Sequence, residues 1–174
     1  MRIAIVLGTA AELIKMYPVL LRLDQTQAHW QVISTGQSPQ NFWIQYREFA
    51  LDESRAHKTV ETADDLKFKS QALRWLLRAV FAKPFPNEKP DLIVVHGDTL
   101  STLIGAWWAK RFRIPLAHVE AGLRSRALLN PFPEEATRRL VSRLAQLHFA
   151  PGAFAVENLE KSNVRGTIVD TKAN

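Results

Sequence analysis

Two carboxylates each follow a short apolar run and stand beside a glycine. Asp98 ends the run Asp91-Leu-Ile-Val-Val-His-Gly-Asp98, and Glu120 follows Ile114-Pro-Leu-Ala-His-Val before Ala-Gly122. The residues between them are enough for one crossover helix, which predicts two neighbouring parallel strands. Ligands of open α/β sheets bind outside the carboxyl ends of the strands. Two carboxylates at that edge could perform general acid–base chemistry.

Each of these two carboxylates also has a structural interpretation. Asp98 precedes Thr99-Leu100 and could simply cap the next helix, and the spacing alone leaves cap and catalyst equally open. Glu120 is not needed as a cap, and a carboxylate at a strand end is costly unless it is paired or functional. Its structural alternative is a salt bridge to Arg124.

A second pair of acids, Glu134 and Glu135, begins a predicted helix after Pro133. The helix dipole favours acids in a first turn, and i,i+4 pairing with Arg138 and Arg139 gives a complete structural explanation. The arginines of this region could alternatively meet a phosphate group.

Other polar residues give weaker signals. His96 and His118 lie in apolar strands, a context typical of hydrogen-bonded core histidines, and they form no zinc-binding pattern. Gly8-Thr9 joins a strand to a helix and could contact a phosphate or sugar through helix amides, although an ordinary turn explains it equally. It lacks both the dinucleotide fingerprint and the P-loop pattern.

These residues are positioned by alternating strands and helices. Strands are predicted near 2–7, 30–34, 58–60, 91–97, 115–119 and 147–150, with helices between them and after the last. This order predicts an α/β fold with a doubly wound, mostly parallel, Rossmann-like sheet in one domain spanning 1–174. A capping signal at 62–65 is predicted to open a long helix whose buried residues are Leu66, Leu73, Leu76, Leu77 and Val80. Residues 166–174 carry no predicted element.

Composition limits the function classes. The chain has 174 residues, 47% of them hydrophobic, and no cysteine, so it can bury a core but has no disulfide or thiolate site. The absence of cysteine fits a reducing compartment, and we expect a cytoplasmic protein. The net charge of +6 favours an anionic ligand. No nucleic-acid signature is visible, no stretch is long enough to span a membrane, and the N-terminal apolar run is too short for a signal peptide.

Four ordered motifs resemble those of the non-hydrolysing UDP-N-acetylglucosamine 2-epimerases. They are Gly8-Thr9-Ala-Ala-Glu12-Leu-Ile-Lys15, His96-Gly-Asp98-Thr99, His118-Val-Glu120-Ala-Gly-Leu-Arg124 and Pro131-Phe-Pro-Glu134-Glu135-Ala-Thr-Arg138. The resemblance runs from residue 1 to about 160, and the last two motifs are the most diagnostic.

The resemblance implies the amino-terminal half of a glycosyltransferase-B-like enzyme with two Rossmann-like domains. Such enzymes interconvert UDP-GlcNAc and UDP-ManNAc without a cofactor or metal, and the resemblance suggests a homodimer formed through this domain. The implied catalytic residues are Asp98, Glu120 and Glu134, with Asp98 the leading candidate for the base. Substrate contacts are expected from Lys15, Arg138, Gly8, Thr9, His96 and Arg124.

The chain departs from the family pattern at three places. Ala10 and Ala11 replace the arginine and proline of Gly-Thr-Arg-Pro-Glu, which removes an expected cationic contact. Ser38 replaces the usual histidine after Thr-Gly-Gln. The nucleotide-binding C-terminal domain is expected to lie outside this chain, so the isolated domain is expected to be inactive. The alternative function is a sugar-nucleotide-binding or glycosyltransferase-like protein of the same fold without epimerase activity.

Overall fold

A computed structural model describes residues 1–60, 69–85, 88–125 and 133–172. The chain divides into two compact units, Met1–Asp91 and Leu92–Asn174. Strands and helices alternate in both units, and the strand pairings within each unit are parallel. The predicted α/β class with a doubly wound, mostly parallel, Rossmann-like sheet is confirmed.

The described residues of the first unit contain three strands in the spatial order β3-β2-β1. Its elements are β1 (Arg2–Leu7), α1 (Ala10–Asp24), β2 (His29–Ser34), α2 (Pro39–Glu48), a 3-10 turn (Glu53–Arg55), β3 (Ala56–Lys58) and α3 (Lys69–Phe81). The β1 residues from Ile3 to Leu7 are all buried, as expected for a strand covered on both faces. The predicted strand at 58–60 lies earlier in the chain, at Ala56–Lys58, and overlaps the prediction by one residue.

Helix α1 begins at a complete capping box. The Thr9 hydroxyl accepts a hydrogen bond from the Glu12 amide, and the Glu12 carboxylate accepts one from the Thr9 amide. Pro18 lies inside the helix, which nevertheless continues to Asp24.

Helix α3 buries only part of the predicted face, on which Leu76 and Val80 are half-buried. Leu73 and Leu77 are 60% and 53% exposed, whereas Trp75 and Ala79 are buried. The Trp75 indole nitrogen donates a hydrogen bond of 2.7 Å to the Thr35 carbonyl. A buried indole contributes a large apolar area and needs a hydrogen-bond acceptor, so it fixes the rotation of the helix. The predicted helix start at 62–65 and Leu66 lie outside the described residues.

In the described part of the second unit, four strands lie in the order β4-β5-β6-β7. Its elements are β4 (Leu92–His96), α4 (Leu100–Phe112), β5 (Leu116–Val119), α5 (Glu134–Leu144), β6 (Leu147–Ala150), α6 (Ala153–Lys161) and β7 (Thr167–Asp170). A small core of alanines and Leu159 packs α6 against the ends of β5 and β6.

Strand β7 is an element that the sequence prediction missed. Its Ile168 pairs with His148 in β6, although most of the strand is exposed. A four-residue edge strand is too short to show a period, so only the hydrogen bonds to β6 define it. No helix in the described part of the chain is long and apolar enough to cross a membrane.

Candidate active site

The turn between β4 and α4 is held against the end of β5 by two hydrogen bonds. The Gly97 amide donates to the Val119 carbonyl at 3.0 Å. The Gly97 carbonyl lies 2.7 Å from Nε2 of His118, and since a carbonyl can only accept, Nε2 carries the hydrogen. Asp98 follows this turn directly, so its backbone is fixed at the carboxyl edge of the sheet.

His118 is fully buried and stays neutral over the ordinary pH range. Burial lowers the pKa of its imidazole to about 4, although the hydrogen bond to the Gly97 carbonyl acts in the opposite direction. The nearby His148, His96 and Arg124 lower this pKa further. The interpretation of His118 as a hydrogen-bonded core histidine is confirmed. His148, for which no prediction was made from the sequence, is also buried, and its Nε2 lies 3.0 Å from the Arg165 carbonyl.

Glu120 has a left-handed backbone conformation with φ of 63°. Such a conformation costs a non-glycine residue about 1–3 kcal/mol, and it is concentrated at functional sites. Its carboxylate lies 3.5 Å from Nε2 of His96, which is buried. A Cβ placed on Gly97 would lie 3.4 Å from Glu120 Oε2, so the carboxylate packs directly against the turn that carries Asp98. Asp98 and Glu120 therefore follow the ends of two paired strands, as predicted.

Asp98 does not cap helix α4. The N-cap is Thr99, whose hydroxyl accepts a hydrogen bond from the Thr102 amide at 3.2 Å. The Asp98 carboxylate instead forms an ion pair with the Arg138 guanidinium. The side chain of Asp98 is 25% exposed and that of Arg138 is 21% exposed, so the ion pair lines an accessible part of the sheet edge. The capping alternative for Asp98 is wrong.

The two glutamates at the start of α5 have different environments. The Glu135 carboxylate is fully buried and lies 2.8 Å from Arg139 Nε, which confirms that i,i+4 pair. The predicted pair between Glu134 and Arg138 is absent, because Arg138 contacts Asp98 and Glu135. Oε2 of Glu134 is buried and has no hydrogen-bond partner among the described residues. Glu134 is therefore not explained by helix pairing.

Arg124 binds the backbone rather than Glu120. Its guanidinium donates to the Leu123 carbonyl at 3.0 Å and to the Ser142 hydroxyl at 3.2 Å. Burial lowers the pKa of Arg124, while the Glu135 carboxylate raises it. The predicted salt bridge to Glu120 is absent from the described structure, and Arg124 instead connects the segment after β5 to helix α5.

The remaining predicted contacts belong to the first unit. The amides of Gly8 and Thr9 both donate to Glu12 Oε2 at 2.9 Å, so a carboxylate of the protein itself occupies this helix N-terminus. A substrate contact by these two residues would need other atoms or the displacement of Glu12. Lys15 lies one turn further along α1 on its exposed side. Their roles as substrate contacts remain predictions.

The second unit thus places Asp98 and Glu120 at adjacent strand ends. Arg138 forms an ion pair with Asp98, and His96 lies beside Glu120. Carboxylates can accept or deliver protons, and a guanidinium can stabilise an anionic leaving group. No cluster of histidine and carboxylate side chains suited to a metal ion occurs within the described ranges.

Sequence reasoning did not identify three features of this site. They are the hydrogen bond from His118 to the Gly97 turn, the strained backbone of Glu120, and the separate environment of Glu135. Each depends on strand register or helix rotation, which adjacent residue types do not specify. The one available signal was the histidine two residues before Glu120.

The architecture is a parallel α/β fold with two carboxylates at the ends of adjacent strands. A model of the UDP-N-acetylglucosamine 2-epimerase family matches residues 22–171. The UDP-N-acetylglucosamine 2-epimerase of Neisseria meningitidis serogroup A is 36% identical over 169 residues, which are 94% of this chain but 43% of that protein. The chain belongs to the UDP-N-acetylglucosamine 2-epimerase family.

Solved structures agree with this assignment. The UDP-GlcNAc 2-epimerase from Neisseria meningitidis bound to UDP-GlcNAc aligns with a TM-score of 0.82 and 31% identity, covering 98% of this chain and 46% of that chain. The rhamnosyltransferase SpnG aligns with a TM-score of 0.53 and 12% identity over 87% of this chain and 45% of its own, which shows a shared fold only. The chain therefore spans less than half the length of these relatives.

Proposed function

We propose that this chain carries the acid–base residues of an enzyme that interconverts UDP-GlcNAc and UDP-ManNAc. The observation that carries the proposal is the pair of carboxylates, Asp98 and Glu120, at the carboxyl ends of β4 and β5. The solved relative bound to UDP-GlcNAc supports the substrate class. The full-length protein is an isomerase in this proposal, and the chain alone is inactive.

The proposed reaction is an elimination followed by an addition. A base removes the proton from C2 of the sugar, its electron pair forms the C1=C2 bond, and the C1–O bond breaks with its electrons leaving on UDP. UDP then adds back to C1 of the 2-acetamidoglucal while an acid protonates the opposite face of C2. Asp98 is the proposed base, and Glu120 and Glu134 share proton transfer and sugar positioning.

The cations have a complementary role in the proposal. Arg138, together with Lys15, stabilises the diphosphate as charge develops on it. Lesser substrate contacts come from Gly8, Thr9, His96 and Arg124. No cofactor is required, because both proton transfers and the leaving group are served by side chains.

Two features of the whole protein belong to the same proposal. A second domain supplies the nucleotide-binding wall of the cleft, and residues 1–174 form one Rossmann-like domain. The protein is a cytoplasmic homodimer that associates through this domain. The exposed Leu73, Leu77 and Phe81 on helix α3 support this association, since they form an apolar stripe at i, i+4 and i+8.

The test is incubation of the full-length protein with UDP-GlcNAc in deuterated water. We expect deuterium at C2 and formation of UDP-ManNAc, both followed by NMR. The variant Asp98→Asn should lower turnover by about 100-fold or more, because it removes a general base. Absence of both products with the unmodified enzyme would overturn the proposal, and near-normal turnover by Asp98→Asn would remove Asp98 from the mechanism.

A second candidate is a sugar-nucleotide-binding or glycosyltransferase-like protein. Ala10 favours it, because this position lacks the cation expected near the diphosphate. Such a protein would bind UDP-GlcNAc in calorimetry but leave C2 free of deuterium. The same incubation therefore separates the two candidates.

A further inference from the structure

Glu135 is the most completely buried carboxylate near the candidate site. None of its side-chain surface is exposed. The carboxylate accepts hydrogen bonds from the Ser125 amide at 3.0 Å, the Ser125 hydroxyl at 3.3 Å and Arg139 Nε at 2.8 Å. The fourth contact is Arg138, whose NH1 lies 3.6 Å from Oε2. Burial of an ionised carboxylate is costly unless such donors compensate it, so the arrangement commits Glu135 to these three residues.

These partners connect Glu135 to the carboxylates at the strand ends. Ser125 closes the segment that begins at Glu120, and the contact with its amide ties that segment to the first turn of α5. On the other side, Arg138 uses NH1 toward Glu135 and NH2 toward Asp98. One buried charge therefore holds the segment that follows Glu120 and the cation that faces Asp98.

The division of the Arg138 guanidinium between two carboxylates has a physical consequence. An arginine side chain loses considerable rotamer freedom when it is ordered. If one of its nitrogens is already held by a fixed partner, less conformational entropy is lost when another nitrogen binds a ligand. If a diphosphate draws NH2 away from Asp98, NH1 can stay on Glu135. Arg138 then remains in the site while the Asp98 carboxylate becomes available.

We propose that Glu135 is a positioning residue for the epimerase reaction, which acts through Arg138 and touches no substrate atom. The proposal rests on the function proposed above. It assigns different roles to the adjacent glutamates, since Glu134 belongs to the reacting groups and Glu135 orients the cation. The competing explanation is that Glu135 only stabilises the fold, as the pairing of Glu135 with Arg139 alone would suggest.

A double-mutant cycle on the full-length enzyme separates these explanations. The variants are Glu135→Gln, Arg138→Gln and the combination, measured by C2 deuterium incorporation with kcat and KM determined separately. Glu135→Gln keeps the shape of the side chain and removes its charge. The control is Glu157→Gln, which breaks a comparable i,i+4 pair with Lys161 on the exposed side of α6. Thermal unfolding of every variant shows whether it folds.

We expect Glu135→Gln to lower kcat/KM by roughly 10–100-fold, as loss of a supporting contact does when a reacting group is misplaced. The same substitution in the Arg138→Gln background should lower kcat/KM by less than about threefold, because its effect is transmitted by Arg138. Glu157→Gln should leave activity unchanged. Equal losses in both backgrounds, or unchanged activity in Glu135→Gln, would overturn the proposal.

Two further measurements keep the result interpretable. If Glu135→Gln does not fold, the cycle is repeated with Glu135→Asp, which retains the charge but draws it back by one methylene. Binding of UDP is measured by calorimetry for the unmodified enzyme, the two single variants of the cycle and the double variant. This measurement reports on Arg138 without requiring turnover. An enzyme that binds UDP with the expected coupling but does not exchange C2 would refute the epimerase function and retain the role of Glu135. Additive effects on UDP affinity would refute that role.

Discussion

Acidification should destabilise this protein through His118. The imidazole has an ordinary pKa of 6.5 in the unfolded chain, and burial lowers it to about 4 in the folded state. Above pH 6.5 neither state binds the proton. Between pH 6.5 and about 4 only the unfolded state binds it, so the free energy of unfolding falls as pH falls, and below about 4 the effect is complete. At about 1.36 kcal/mol per pKa unit, this window corresponds to a loss of about 3 kcal/mol.

The assay is urea unfolding at several pH values between 7 and 4, comparing the unmodified protein with His118→Gln. Glutamine can still donate an amide hydrogen to the Gly97 carbonyl, but it does not titrate. We expect His118→Gln to be less stable at pH 7, because the shape of the buried ring is lost. Between pH 6.5 and about 4, the free energy of unfolding of this variant should fall by about 2–3 kcal/mol less than that of the unmodified protein.

The matched control is His29→Gln at an exposed position of β2. This substitution should leave the pH dependence of the unmodified protein in place. The reasoning would be refuted if His118→Gln retained the full acid dependence, or if NMR titration found His118 protonated in the folded protein at pH 6. Either result would mean that burial does not keep this ring neutral in the folded protein.

Two other pairs of substitutions test the packing and the association surface. Gly122→Ala should lower the free energy of unfolding more than Gly152→Ala. Both glycines have positive φ, where a side chain causes a strain of about 1–3 kcal/mol. Of the two, Gly122 alone would place the new Cβ 2.2 Å from a backbone oxygen, that of Ala155. Equal losses in denaturant unfolding would contradict the close approach. Leu77→Lys should shift the proposed homodimer toward monomer in sedimentation velocity at micromolar concentration, whereas Leu21→Lys on α1 should not. An unchanged dimer with Leu77→Lys would move the interface away from helix α3.

The sequence allowed the fold class to be predicted because strand and helix periods are local properties. The apolar runs at 2–7 and 91–97 and the helical spacing after Gly8 were sufficient to indicate alternating elements. The edge location of Asp98 and Glu120 followed from the parallel connection between their strands. The rotation of α3 did not follow, since its leucines and Trp75 both fit a helical face and only the acceptor at Thr35 distinguishes them.

The identity of the candidate residues was also present in the sequence, whereas their partners were not. The ordered motifs around Asp98, Glu120 and Glu134 indicated the family, which the family model and the relatives then showed. The spacing could not decide whether Asp98 caps α4, because Asp98 and Thr99 are both good capping residues. The structure gives the cap to Thr99 and leaves Asp98 facing Arg138.

By itself, the sequence determined most of the elements, their parallel order and the acidic residues at the strand ends, because these depend on residue type and local spacing. Only the tertiary structure decided which charges meet. Arg138 follows Glu134 by four residues and Glu135 by three, and either spacing allows an ion pair on a helix. Strand register and helix rotation direct Arg138 to Glu135 and Asp98. Burial then makes His118 neutral and Glu135 fully paired, since a charge removed from water depends on the few groups that the fold places around it.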